Sequence, residues 1–381
     1  MRRSQKWGLF LALTLIFGGC HNRLLKRPVP AGSSDWVQWG GPVRSTLALE
    51  SEPDFSDLTE LKVLKMQSSP GKAILTRDGV AVLPTLAGRL WAFALPRGKK
   101  LGEYKLPAKI PGTALLYKGD VLVAQRFGKK TLFRFSPKTG KKRWKVKLGD
   151  IETEPLLAGD TLFVTTLFQG VAAVQADSGK ILWKKALNAQ SHSSPVLKGG
   201  RLFFGDDKGR LFALNRETGD SLFAVSLGGI VRAAPTCRDG RIFIGTTEGR
   251  FLALSAQTGE ILWEKRLPAE IVHAAALTHR AVFLVANDGF LYKLSAKNGS
   301  LFWKQNLNGV AGTAPLLLGN RLVLGTLEHT LLVVDAQSGR ILFQKRLKGR
   351  IRTLPVPWKN DLLVASENRW FYIFRRKGSE P

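Results

Sequence analysis

Cysteine is nearly absent from this chain: Cys20 and Cys237 are the only two in 381 residues. A disulfide framework is thereby excluded, and so is paired-cysteine metal spacing. Histidine is almost as sparse. His21, His192, His273, His279 and His329 are scattered, with no His-Glu-x-x-His pattern and no phosphate loop. Ser191, Ser193 and Ser194 flank His192, but a triad needs partners that spacing does not place, and capping of strand ends is the plainer role. Acidic residues are half as numerous as basic ones, 29 against 58, for a net charge of +29. Such a balance speaks of anionic partners and solubility, not of fold. With 44% hydrophobic and 23% charged residues, disordered and fibrous classes are out.

The N-terminus reads as a targeting segment over residues 1–19. Arg2, Arg3 and Lys6 form a basic end, and Trp7–Phe17 is an apolar run of eleven residues. A spanning helix needs about 20, and no later run approaches that length. Gly18 and Gly19 then precede Cys20. The order resembles a bacterial lipoprotein signal peptide, as against an ordinary one with a chance cysteine. The resemblance implies cleavage before Cys20 and its acylation by several chains, such as palmitate, which together anchor firmly where one would not. His21 is not the aspartate that retains many such proteins in the inner membrane. The expected destination is the outer membrane, facing the periplasm. Residues 20–34, with Pro28, Pro30, Gly32 and Ser33, read as a flexible tether.

What the chain does have is a repeat. A glycine closes each unit at Gly98, Gly140, Gly179, Gly219, Gly259, Gly299, Gly339 and Gly378, at intervals of 42, 39, 40, 40, 40, 40 and 39 residues. Short apolar segments such as Arg201–Phe204 and Arg241–Ile244 predict strands. Leu211–Leu214 and Phe251–Leu254 predict strands covered on both sides. Ser136–Gly140 and Ser255–Gly259 are the turns of hairpins. Four residues after the glycine stands an aromatic: Trp144, Trp183, Phe223, Trp263, Trp303 or Phe343. These are expected to pack, with removal of a buried one costing about 3–5 kcal/mol.

Four-stranded sheets repeated every forty residues predict a radial propeller. The last unit lacks a fourth strand, and a spare strand, Leu61–Met66, precedes the first. Pairing the two completes an all-β, eight-bladed β-propeller over residues 35–381, its last blade closed by an N-terminal strand and its edges hidden.

The repeat Gly, apolar strand, Ala-x-(Thr/Ser)-Gly-x-x-x-Trp, seen at Gly249–Trp263 and in variant form at Gly170–Trp183, resembles the quinoprotein-like (PQQ-repeat) β-propeller family. So does the opening Asp35-Trp-Val-Gln-Trp-Gly-Gly41. Within it, a lipoprotein with little beyond eight blades is similar to the accessory lipoproteins of outer-membrane β-barrel assembly. That implies a non-enzymatic scaffold with no cofactor, which binds the periplasmic domains of a BamA-like barrel assembly protein and nascent outer-membrane proteins, as a monomer within a complex. The same family contains quinone-dependent dehydrogenases, which resemble one another in a neighbouring-cysteine disulfide, a calcium site and long insertions. This chain has two distant cysteines and near-minimal blades.

In the accessory lipoproteins the partner is held by inter-blade loops, through apolar and arginine contacts in one loop and acidic residues in the next. The matching positions are Leu187, Ala189 and Gln190, then Ile230 and Arg232; the resemblance carries no arginine into the first loop and no carboxylate into the second. At the entry to each blade Gln67, Glu152, His192, Arg232, His273, Gly312 and Arg352 are expected to form a rim, suited to a protein or an anion. A metal shared by His192 and His273 is the sharper alternative, although three or four ligands are usual. Cys237, matching Leu197 and Leu317, reads as a small apolar core residue. Without the leader the net charge is +26, from loss of Arg2, Arg3 and Lys6. Solvated blade edges explain it, or attraction to an anionic envelope polymer or lipid headgroups. Nucleic acid is not expected for an exported chain.

Overall fold

The computed structural model describes residues 24–25, 36–38, 40–41, 44–49, 53–106, 114–126, 128 and 130–379. The leader, Cys20 and the tether apart from Leu24 and Leu25 lie outside them.

Every secondary-structure element among the described residues is a strand, and the strands form eight sheets. Each blade runs A, B, C, D from the hub outward. Blade 4 is representative: Val196–Lys198, Arg201–Gly205, Arg210–Asn215 and Ser221–Ser226, paired antiparallel in that order. Leu211–Leu214 and Phe251–Leu254 are wholly buried, because strand C of each blade is sandwiched between neighbouring sheets.

Closure follows the expected strand. Leu58–Lys65 pairs antiparallel with Trp370–Arg376, from Leu58 opposite Arg376 to Lys65 opposite Trp370. It is strand D of blade 8. The inner strand of that blade is Val356–Trp358; Pro355 lacks an N–H and precedes the ladder.

The repeat aromatics are half-buried, not engulfed. All but Phe343 cover the turn glycine of the next blade. A β-carbon on Gly179 would stand 2.7 Å from Trp144, on Gly219 2.6 Å from Trp183, and on Gly259 2.7 Å from Phe223. The tryptophans also donate an indole N–H onward: Trp144 to the Ala176 carbonyl at 3.0 Å, Trp183 to Arg216 at 2.9 Å, Trp303 to Gln337 at 2.9 Å. Phe343 has no such glycine beneath it and meets Phe374 edge-on, centroids 6.4 Å apart. At the closing seam Leu64 takes the aromatic's place, 2.7 Å from a β-carbon on Gly98.

The opening segment has a role that spacing did not reveal. Strand A has no neighbour on its hub side, so its backbone groups need partners. Residues 36–49 supply them blade by blade. The Trp36 carbonyl accepts from Thr76 N–H in blade 1, Val37 from Leu116 in blade 2, Ser45 from Cys237 in blade 5, Thr46 from Leu277 in blade 6 and Leu47 from Leu317 in blade 7. In blade 3 the Gln38 amide imitates a peptide, accepting from Leu157 N–H at 2.9 Å and donating to its carbonyl at 3.2 Å. The circuit ends with Ala48–Leu49 parallel to the inner strand of blade 7. The matching residue of blade 8 is Pro357, which has no N–H to offer.

Candidate functional site: the hub and the loop face

An A–B hairpin and a C–D turn leave a sheet at one end; the B–C turn and the D–A crossover leave at the other. The propeller therefore has a hairpin face and a loop face. The opening segment crosses the hub, and a cavity of about 230 Å³ lies within it, lined among others by Lys72, Glu154, His192, Arg232, His273 and Arg352.

Small residues, Ala234, Ala274, Ala314 and Gly312, line part of the wall, and the buried carboxylate among its polar groups is tied down. Glu154 is buried, with Lys72 at 3.3 Å and the Ser194 hydroxyl donating to it. Burial alone would raise its pKa; Lys72, Ser194 and Arg44 outweigh that and hold it below the ordinary carboxylate range. Arg44 is itself buried, donating to the carbonyls of Glu154 and Pro155. Desolvation lowers its pKa to about 10, against the pull of Glu154.

The rim register needs correction at two positions. Glu152, His192, Arg232, Gly312 and Arg352 each stand four residues before an inner strand. The equivalents in blades 1 and 6 are Gly71 and Val272, not Gln67 and His273. His273 sits one place on, level with Ser193 and Thr353, which hydrogen-bond carbonyls of the next blade, Ala233 and Gly71. It does likewise, Nε2 meeting the Ala311 carbonyl at 3.2 Å. Burial pushes its pKa down to about 4, helped by the charges of Lys72 and Arg352. His192 is engaged elsewhere, Nδ1 lying 2.9 Å from Asp207. The two histidines share no ligand geometry, and no group of three or more metal-binding side chains occurs among the described residues.

The expected docking residues separate into two kinds. Leu187 is half-buried and packs on a core cluster with Phe163, Phe204 and Leu214. Ala189 is also half-buried, whereas the Gln190 side chain is exposed and its carbonyl accepts from Asp207 N–H. Ile230 is half-buried with its carbonyl held by Thr247 N–H, and Arg232 is exposed at the cavity mouth. Arg232 forms no ion pair with a described residue. The crossover loop lacks carboxylates, but Glu248 stands on the B–C turn beside it and Glu270 on the next crossover. A β-carbon on Gly229 would stand 2.7 Å from Glu248, and Glu248 and Glu270 border one open cleft with Arg266. The signal was there in Thr247–Glu248, forty residues after Asp207–Lys208, but only the fold shows that a B–C turn abuts a D–A loop.

Comparison with known proteins is informative at this point. The family described as outer membrane protein assembly factor BamB matches residues 128–229, 221–317 and 287–378, well over half the chain. The protein belongs to the BamB family. BamB from Moraxella catarrhalis is similar in structure, with a TM-score of 0.72 at 18% identity over 84% of this chain and 100% of that one. So are two oxidoreductases. A europium-containing methanol dehydrogenase has a TM-score of 0.72 at 12% identity, over 90% of this chain and 98% of that one. The quinohemoprotein alcohol dehydrogenase of Comamonas testosteroni has 0.75 at 13%, over 91% and 81%. At such identities the likeness shows the propeller alone. No curated protein matches the chain.

The quinone-dependent dehydrogenases of the wider repeat family raise the question of a quinone and a calcium ion. The residues here do not fit the pair. Cys237 is fully buried in an inner strand with no second cysteine near it among the described residues, its thiol pushed by burial to about 12. The one buried hub carboxylate, Glu154, is already held by Lys72 and Ser194. The hub of this BamB-family chain is built as a junction between blades.

Proposed function

We propose that this chain is a non-enzymatic, BamB-like lipoprotein scaffold of the outer membrane. Acylated at Cys20, it faces the periplasm and assists assembly and insertion of β-barrel proteins. Its loop face docks the periplasmic domains of a BamA-like barrel assembly protein, through Ile230 and Arg232 with the neighbouring carboxylates Glu248 and Glu270. Gln190 borders the same surface, and Leu187 supports it from below.

The observation that carries this reading is the pairing of an exposed Arg232, without an ion pair among the described residues, with half-buried Ile230 on a loop that Glu248 abuts at Gly229, in a chain of the BamB family. Apolar anchors ringed by mixed charge are what a specific protein interface requires. Affinity purification of the acylated protein from solubilised envelopes tests it. Enrichment of the barrel assembly protein is the expected result; recovery of peptidoglycan without it would remove the assembly role.

A further inference from the structure

Leu24 is wholly buried although it stands only four residues from Cys20. It sits in a slot at the hairpin face between blades 1 and 2, against Val80, Val82, Leu116 and Val121, and Leu25 N–H donates to the Pro137 carbonyl at 3.0 Å. Four extended residues reach at most about 14 Å. A chain held at Leu24 therefore keeps Cys20 close to the hairpin face of these two blades.

The C–D turns bordering that slot carry charge of one sign, and the carboxylates of its A–B hairpins are neutralised, Asp78 by Arg77 and Asp120 by Arg134 and Arg143. Blade 1 turns through Leu95-Pro96-Arg97-Gly98-Lys99-Lys100 and blade 2 through Ser136-Pro137-Lys138-Thr139-Gly140-Lys141-Lys142, with no carboxylate in either. Arg97, Lys99, Lys138, Lys141 and Lys142 are exposed and form no ion pair with a described residue. On the far side of the ring the corresponding turns are far less basic: Arg216 is offset by Glu217 and Asp220 in blade 4, blade 5 has only Glu260, and blade 6 only Lys297. A generally basic composition would decorate all eight turns alike. This one is polarised, and its positive pole coincides with the point where the N-terminal segment is pinned.

We propose that the hairpin face of blades 1 and 2 rests on an anionic phospholipid surface, leaving the loop face turned away from the membrane. The proposal rests on acylation of Cys20 for its geometry. Basic side chains near an anionic leaflet each add modest attraction that salt screens within a Debye length. Several around one anchor fix an orientation that the anchor alone leaves free.

Energy transfer to labelled headgroups tests this on the full acylated protein. Cys20 is consumed by lipid and Cys237 is buried, so a cysteine placed at Thr139 on the hairpin face, or at Lys208 on the loop face, takes the dye alone. In phosphatidylglycerol-containing vesicles, transfer from position 139 should exceed that from 208 by about threefold, and the two should converge in ~1 M salt, where the Debye length is about 3 Å. Pure phosphatidylcholine vesicles, or the triple variant K138E/K141E/K142E, should also remove the contrast. The salt arm needs no variant, so misfolding of the triple change cannot hide the answer. Equal transfer from both positions in anionic vesicles would overturn the proposal, as would protein that sediments with peptidoglycan and shows no contrast on lipid. Mass spectrometry showing an unmodified Cys20 counts against the anchor alone; the contrast between 139 and 208 on protein bound by charge then still decides the face.

Discussion

The indole of Trp263 in blade 5 occupies the space that a β-carbon on Gly299 in blade 6 would need, 2.6 Å away, and its N–H donates to the Ala296 carbonyl of the same turn at 3.1 Å. Two repeat signals that look independent in the sequence, a glycine every forty residues and an aromatic four places later, are thus the two halves of one joint between neighbouring blades. Gly299 also has φ near +71°, which glycine adopts without strain.

Breaking that joint has a predictable coupling. Trp263→Ala should cost about 2–4 kcal/mol, less than for an engulfed tryptophan because the ring is half-buried. Gly299→Ala should cost a similar amount in the wild type, from the clash and the backbone. In the Trp263→Ala background it should cost only about 1 kcal/mol, the backbone share. Urea denaturation of the four proteins reads the cycle; additive costs would show that ring and glycine do not touch.

The opening segment should be part of the folded unit. Gln38→Ala removes two hydrogen bonds to Leu157 and should cost about 1–3 kcal/mol. The Leu157 amide should lose hydrogen-exchange protection while the Ala172 amide, in strand C of the same blade, keeps it. Unchanged protection at Leu157 would contradict the circuit around the hub.

His273 gives the stability a pH dependence of known sign. Its folded pKa, about 4, lies below the unfolded value of about 6.5, so the unfolded chain binds the extra proton between these limits. Stability is therefore full above about 6.5 and falls as pH drops toward 4. From pH 7 to 5 the loss should be about 2 kcal/mol, and His273→Gln should lose that much less. Melting curves across this range decide it; parallel curves for both proteins would contradict a partly buried imidazole held neutral in the folded state.

Cys237 should resist thiol reagents in the native state, since its thiol is fully buried and pushed to about 12. Only the thiolate reacts. Labelling should track unfolding across a denaturant series, and fast modification without denaturant would show an open hub.

Much of this fold was legible because its repeat is local. The glycine interval, the apolar strands and the spare strand, expected at Leu61–Met66 and found at Leu58–Lys65, all belong to patterns a single unit displays. Register is less legible: the rim position of blade 1 lies four places beyond Gln67, and that of blade 6 one place before His273. Blade 6 has Ala275 where Pro155, Pro195, Pro235, Pro315 and Pro355 mark the register of other blades, and the fold places His273 at the position that bridges blades. Other features had no local signature. Gln38 and Leu157 are 119 residues apart, Leu24 reaches a slot made by two blades, and Glu248 serves a loop that precedes it by a whole hairpin. Such pairings follow from closure of the ring and become visible only with it.

The assembly role is tested most directly by titrating the periplasmic domains of the host's BamA-like protein into the purified chain by calorimetry, with Ile230→Asp and Arg232→Glu alongside. Saturable one-to-one binding is predicted, weakened about tenfold or more by either change, with melting temperatures unaltered. Absence of binding by the wild type, or variants that bind as tightly as it does, would contradict the loop face as the docking surface.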